Sequence, residues 1–259
     1  MELQLKDHVI LITGGTDGLG FATARHLVDE GAYVIVCGRN LDRLARASDE
    51  LSKAGTRVLG VQADVTRAED IHHLIERIET EFGRLDGLVS NAGEAAALKV
   101  EESSDEQWQA DLDLKLMAAV RLARTCLPLL RKSEAGAIVN VLAFAAKAPS
   151  AASSPSSVSR AAGLALTKVL ANELGPDGIR VNAVLPGLIA SGQWDRRAET
   201  ADVEVDEIYA AMLARNPVPL GRFGMADEFA DVVTWLLSPR ASYVTGTAIN
   251  VDGGLSPVS

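Results

Sequence analysis

The glycine-spaced turn between Thr13 and Gly20 is the feature that most constrains how this chain can fold. Val9 to Ile12 form an unbroken apolar run, Thr13-Gly14-Gly15-Thr16-Asp17-Gly18-Leu19-Gly20 follows, and a helical apolar pattern begins as the turn ends. Gly14, Gly18 and Gly20 have no Cβ, so the backbone there can turn sharply and come close to a ligand. The helix that follows aims unpaired N–H groups and the positive end of its dipole at whatever lies over the turn, an anion site that suits a pyrophosphate. An ordinary strand–turn–helix corner can carry the same glycines; the βαβ pattern downstream is what favours a dinucleotide site.

That pattern runs the length of the chain. A helix over 18–30 ends at Gly31, and Tyr33-Val34-Ile35-Val36-Cys37 reads as a strand buried on both faces. A charged helix (40–54), a strand at Arg57–Val61, a helix (67–82) and a strand at Leu85–Ser90 follow. A long helix (105–132), a strand at Ala137–Leu142, a helix (155–174) and a strand at Arg180–Leu185 repeat the scheme. Residues 190–220 read as an irregular polar segment before a helix (226–237) and a last strand at Ala248–Val251. Strands that alternate with helices pair in parallel through right-handed crossovers. The expected fold is therefore α/β, a single doubly wound Rossmann domain over residues 1–259 with a seven-stranded parallel sheet and helices on both faces.

Composition excludes several functions. With 47% apolar residues the chain can build a large core. Its formal net charge of −10 argues against nucleic acid and against anionic membranes as partners. The N-terminal Met1-Glu2-Leu3-Gln4-Leu5-Lys6-Asp7 lacks signal-peptide features and no apolar run is long enough to span a membrane. Cys37 and Cys126 read as buried free thiols, which fits a reducing cytoplasm. No His, Cys, Asp or Glu cluster has metal-ligand spacing, and His8, His26, His72 and His73 read as structural or surface groups away from the cleft.

In such a sheet ligands bind beyond the carboxyl ends of the strands. Gly38 and Arg39 follow the second strand: no carboxylate is there for an adenine-ribose 2′-hydroxyl, whereas Arg39 can meet a 2′-phosphate. Asp17 pulls the other way, and NADP is preferred over NAD. Asp64 either accepts from an adenine amino group or caps a helix. Asn91-Ala92-Gly93 offers small residues against which a cofactor can lie. Ser150, Ser153, Ser154, Ser156, Ser157 and Ser159 are expected to supply an N-cap and a small-residue helix face, or to bind a polar substrate. Trp194, Arg196 and Arg197 belong either to a solvated loop or to an anion-binding lid.

Taken together these motifs resemble the short-chain dehydrogenase/reductase family over nearly the whole chain. The resemblance rests on Thr13-Gly14-xxx-Gly18-x-Gly20, Asp64-Val65, Asn91-Ala92-Gly93 and Gly178-Ile179-Arg180-Val181-Asn182-Ala183-Val184, in that order. It continues through Pro186-Gly187 and Pro219-Leu220-Gly221-Arg222-Phe223-Gly224 to Val251-Asp252-Gly253-Gly254. It implies that Thr16, Leu19, Val65, Pro186 and Gly187 line the cofactor, with Ile189 and Ser191 near the nicotinamide carboxamide and the phosphates. It also implies a mobile substrate-binding segment over 192–217, within the polar stretch 190–220, a small-molecule substrate and a homotetramer or homodimer built on the two long helices.

The family's chemistry rests on Asn, Ser, Tyr and Lys, and by the flanking text these positions fall on Lys115, Ala143, Ser156 and Arg160. All four differ from the family pattern. The only tyrosines are Tyr33, Tyr209 and Tyr243, so none lies between Leu142 and Leu174, where the family tyrosine would fall. A serine hydroxyl at 156 is too weakly acidic to shuttle protons near neutral pH without a base. Arg160 keeps its proton but can hydrogen-bond a nicotinamide ribose. Lys115 either pairs with a carboxylate such as Asp111 or Asp113, stays solvated, or, with its pKa lowered beside Arg160, acts as a general acid or base. Three functions follow: an NAD(P)-dependent oxidoreductase with a non-standard site, a cofactor-binding pseudoenzyme serving as sensor or oligomer subunit, or a lyase or dehydratase reusing the cleft.

Overall fold

Seven apolar runs pair into one parallel sheet. The computed structural model describes residues 2–259 apart from the side chains of Gln193 and Asp195, so Met1 of the N-terminal reading lies outside it. In chain order the elements begin β1 (Val9–Thr13), α1 (Gly18–Asp29), β2 (Tyr33–Gly38), α2 (Leu41–Ser52), β3 (Val58–Gln62), α3 (Ala68–Phe82) and β4 (Gly87–Ser90). They continue with β5 (Ala97–Leu98), α4 (Asp105–Leu112), α5 (Ala118–Leu130), β6 (Ala137–Val141), β7 (Ser154–Pro155), α6 (Ser156–Leu174) and β8 (Arg180–Pro186). The last are α7 (Gly192–Ala201), α8 (Val205–Arg215), α9 (Ala226–Leu237) and β9 (Ala248–Val251). The sheet order is β3-β2-β1-β4-β6-β8-β9, so strand order reverses beside β1, between the first half of the chain and the second.

Alternation along the strands shows why helices must cover both faces. Val9 and Leu11 of β1, with Ile35 and Cys37 of β2, pack with Leu74 and Ile78 of α3 and Leu122 and Cys126 of α5. Ile10, Ile12, Val34 and Val36 point to the other face, against Leu27 of α1, Leu44 of α2 and Phe229 and Val233 of α9. Successive side chains alternate across a strand, so a strand apolar at every position is stable only between two layers.

Arg180 reinforces one edge. It is buried, and its guanidinium donates from Nη1 to the carbonyl of Leu236 at 2.7 Å and from Nη2 to those of Leu237 and Ser238 at 3.3 and 3.1 Å. These are carbonyls at the end of α9 with no partner within the helix. Arg180→Met is expected to lower unfolding free energy by about 2 kcal/mol, the scale of a charge-assisted bond lost from a buried acceptor; urea titration checks it.

Three local expectations are corrected. The helix expected over 105–132 is α4 and α5 joined by a π turn, Asp113–Met117, in which the Ala118 N–H donates to the Asp113 carbonyl. The segment 190–220 is not irregular, because α7 and α8 fill most of it and bury their own small core: Leu188, Trp194, Val218 and Phe223, flanked by Ile208 and Met212. No serine side chain caps α6, whose N-cap residue is Pro155; Ser154-Pro155 instead forms β7, antiparallel to β5.

Candidate active site

The carboxyl ends of β1 and β4 are tied together beneath the glycine turn. Thr13 Oγ1 accepts from the Asn91 and Ala92 amides, both at 3.0 Å. Asn91 Nδ2 returns bonds to the carbonyls of Thr13 (2.9 Å) and Gly14 (3.2 Å). Gly14 and Gly18 hold φ of +64° and +55°, and a Cβ on Gly20 would lie 2.4 Å from the Gly14 carbonyl oxygen. The turn is thus a concave cradle that a side chain would fill, which fits a pyrophosphate held by backbone amides. Leu19 packs into the core below the turn.

At the end of β2 the reason for Gly38 is steric. A Cβ there would stand 3.0 Å from Thr16 Cγ2, so Thr16 occupies the space a longer residue needs. Arg39 is exposed, and Gln62 Nε2 fixes its carbonyl at 2.9 Å. It opens onto a groove of about 510 Å³ shared with Asp64, Arg67, Asp70 and His73. His73 lines this groove. Asp64 caps the turn after β3, its Oδ1 accepting from the Thr66 amide (2.9 Å) and hydroxyl (2.7 Å), while α3 starts from Arg67. Val65 is buried behind it.

The segment after β8 crosses over the cradle. Gly187 N donates to the Val251 carbonyl at 3.0 Å, and a Cβ at Gly187 would meet Asp252 Cα at 2.8 Å, so Pro186-Gly187 leaves the sheet tight against β9. Ile189 is buried, and its carbonyl accepts from Trp194 Nε1 at 2.7 Å. Ser191 precedes α7, its Cβ 3.4 Å from the Cβ position of Gly18. Residues 14–20, 91–93 and 186–191 therefore meet in one cleft, with Arg39 and Asp64 at one end.

At the other end a buried cluster joins the π turn to α6. The side chains of Lys115 and Asp111 are each 3% exposed and form an ion pair, and Lys115 Nζ also donates to Ser156 Oγ. Ser156 Oγ accepts from the Ala96 amide at 3.0 Å and donates to Asp111 Oδ1 at 3.4 Å. Ser159 Oγ donates to Asp111 Oδ2 at 2.5 Å. Arg160 Nη1 donates to the carbonyls of Leu142 (2.8 Å) and Val141 (3.2 Å), and Nη2 lies beside Gly93, 3.3 Å from its Cβ position. Ala143, just beyond β6, offers no polar side chain.

Burial pushes the Lys115 ammonium below its ordinary 10.5; the Asp111 hydrogen bond opposes the shift and the Arg160 charge adds to it. Desolvation thus leads where the sequence pointed to charge repulsion alone. Of the two acids offered as partners, Asp111 takes Lys115, while Asp113 pairs with Arg121 at 3.4 Å. Sequence reasoning placed Ser159 only in a serine-rich run, without its bond to Asp111, and did not single out the Ala96 amide. Spacing offered one clue, since Asp111/Lys115 and Ser156/Ser159 stand four and three residues apart, neighbours on a helical face.

Comparison with known proteins agrees with this geometry. A family model described as enoyl-(acyl carrier protein) reductase matches residues 14–256. Human dehydrogenase/reductase SDR family member 4 is 36% identical over 251 residues, covering 96% of this chain and 88% of that protein. The 3-oxoacyl-[acyl-carrier-protein] reductase of Thermotoga maritima is 34% identical over 257 residues, 98% and 99% of the two chains. Among solved structures, L-sorbose reductase from Gluconobacter frateurii, complexed with NADPH and L-sorbose, aligns with a TM-score of 0.96 at 35% identity over the whole of both chains. An NADPH-bound short-chain oxidoreductase from Pseudomonas aeruginosa, containing an atypical catalytic center, aligns with a TM-score of 0.92 at 36% identity, covering 98% of this chain and 100% of that one.

Proposed function

Because the chain belongs to the short-chain dehydrogenase/reductase family, we propose that it is an NADP-preferring oxidoreductase that interconverts a small carbonyl compound and its alcohol, with Lys115 as the proton-transferring group. One observation carries the reading: a desolvated lysine, hydrogen-bonded to Ser156 and close enough to Arg160 to feel its charge, stands at the end of the cleft that begins at the glycine cradle. Lys115, Ala143, Ser156 and Arg160 stand where the family pattern has Asn, Ser, Tyr and Lys. The likeness to an oxidoreductase with an atypical catalytic center supports such a site being competent.

The cofactor, when bound, supplies or accepts hydride; the chain's own residues do the rest. The cradle, Asn91-Ala92-Gly93 and Pro186–Ser191 would hold its pyrophosphate and nicotinamide end, and Arg39 its 2′-phosphate. Lys115 has three N–H donors, two of them engaged by Asp111 and Ser156. The third is the proton available to a substrate oxygen. With Asp111 ionised, the buried groups Asp111, Lys115 and Arg160 carry −1, +1 and +1, a net +1. Developing negative charge on the substrate oxygen is stabilised there, and proton donation by Lys115 brings the set to zero. Asp111 is a positioning residue, fixing Lys115 and, through Ser159, the start of α6.

Fluorescence titration with NADPH and NADH tests binding. Oxidation of bound NADPH across ketones, aldehydes, a ketose and a 3-oxoacyl thioester tests turnover. Binding without turnover across that panel supports the sensor reading, which the closed Lys115–Asp111 pair favours. Arg39→Ala is expected to weaken NADPH about tenfold, the equivalent of one charge-assisted contact, with NADH unchanged.

Because the donor is the charged form, reduction is expected to slow as pH rises through the pKa of Lys115, on the acid side of 10.5. An alkaline limb with an apparent pKa at or above the ordinary lysine value contradicts the assignment. Assembly as a homotetramer or homodimer through α5 and α6 is supported by Val158 and Val169, apolar residues about half exposed on α6; light scattering tests it.

A further inference from the structure

The α1 N-terminus is engaged by the chain's own carboxylate. Asp17 precedes α1; its Oδ1 accepts from the Gly18 amide at 2.7 Å, and its Oδ2 is paired with Arg196 of α7. Gly192, the first residue of α7, is pressed against this pair, with Asp17 Oδ1 2.7 Å and Arg196 Nη1 3.2 Å from its Cβ position. Arg196 follows Gly192 by one helical turn and shares its face. Trp194, two residues before Arg196 and on the opposite face, is buried edge-to-face on Phe223 with centroids 5.5 Å apart. Trp194 thus anchors α7 to its own small core, while Arg196 ties it to the glycine turn across 179 residues of sequence.

We propose that Arg196 is a ligand of the cofactor's pyrophosphate delivered by α7, and that Asp17 holds its place in the free protein. The inference rests on the cofactor reading above and deepens it. Arg196 and Asp17 are 46% and 39% exposed, so solvent and salt screen their pair and it exchanges readily. A pyrophosphate brings two negative charges to the same helix N-terminus and accepts an arginine fork in bidentate fashion, whereas Asp17 carries one charge and has its Oδ1 engaged by the Gly18 amide. Cofactor entry therefore trades one anion for another, and Arg196 passes from Asp17 to the phosphates while α7 stays over the cleft.

The test uses Asp17→Asn, Arg196→Met and the double variant. NADPH and NADH affinities are read by fluorescence titration, and hydrogen exchange over 192–201 is followed with and without cofactor. Asp17→Asn is expected to tighten both cofactors several-fold, because it removes a negative charge from the phosphate position. Adding Arg196→Met to Asp17→Asn is expected to weaken both about tenfold. Without cofactor, either single change is expected to speed exchange in α7; NADPH is expected to restore protection in Asp17→Asn but not in the double variant. Equal affinity of Asp17→Asn and the double variant overturns the proposal, as does weaker binding by Asp17→Asn. An effect on NADPH absent with NADH also overturns it, since that places Arg196 on the 2′-phosphate. If the unsubstituted protein binds neither cofactor, the cofactor reading falls and takes this one with it; intact binding with unchanged variants removes this one alone.

Discussion

Lys115→Met is expected to lower carbonyl reduction by about 10²–10⁴-fold, the range a single positioned acid contributes. The loss should fall on kcat, because the departing proton belongs to the transition state and not to ground-state binding. The alkaline limb of the pH profile should vanish with it, since Arg160, the other cation of the cluster, keeps its proton even though burial lowers its pKa. The substitution also strands Asp111, whose carboxylate is buried with Lys115 as its only cationic hydrogen-bond partner among the described residues. Low activity alone could then reflect a damaged fold. The double variant Asp111→Leu/Lys115→Met resolves this, because it removes the whole ion pair and leaves two apolar side chains of similar bulk. Recovered stability without recovered turnover assigns the proton to Lys115; turnover in the double variant gives the proton to another group, and the assignment falls.

Asp111→Leu by itself is expected to be the most destabilising single change in the site, at about 3–5 kcal/mol, because it leaves a desolvated ammonium without its counter-charge. For a chain of this size that corresponds to roughly 6–20 °C in melting temperature. The pH dependence has a definite sign. Lys115 already has a folded-state pKa below that of the unfolded chain, and losing Asp111 lowers it further. Between the two values the unfolded state binds more protons, so stability rises with pH. The deficit of Asp111→Leu relative to the unsubstituted protein should therefore be largest near neutral pH and shrink toward alkaline pH. A deficit independent of pH would mean that Asp111 serves α6 through Ser159 and not the lysine charge.

The sheet was readable because a strand buried on both faces writes itself as an apolar run, as β1 and β2 do, and because β6 and β8 are mostly apolar, interrupted only by Asn140 and by Arg180 and Asn182. The glycine turn was readable because three glycines at fixed spacing have a steric meaning. Other parts left weaker marks. The first helix over the cleft, α7, presents only Trp194 and Ala198 to buried surroundings among its described side chains, so its apolar stripe is too thin to stand out from a polar loop. Desolvation around Lys115 depends on how α4, α6 and the strap formed by β5 and β7 close over it, which no local pattern records. Asp111 sits at a position where helical periodicity favours an apolar residue, and in sequence it looks like one acid among several. The Asp17–Arg196 contact is invisible to any window, since only the finished fold brings its ends together.

The π turn at Asp113–Met117 has an evolutionary consequence. Such a turn behaves as one residue inserted into a regular helix. Removing one residue within it would restore α-helical geometry and rotate everything before it by roughly 100° relative to α5. Because α5 is locked in the core through Leu122, Cys126 and Leu129, the swing would fall on α4, carrying Asp111 off the cleft. A single in-frame codon deletion is thus expected to separate Asp111 from Lys115 while sparing the sheet and the cradle. The reverse insertion would rebuild the turn, so the length of this helix, changed by a single codon, decides whether α4 delivers Asp111 to the cleft.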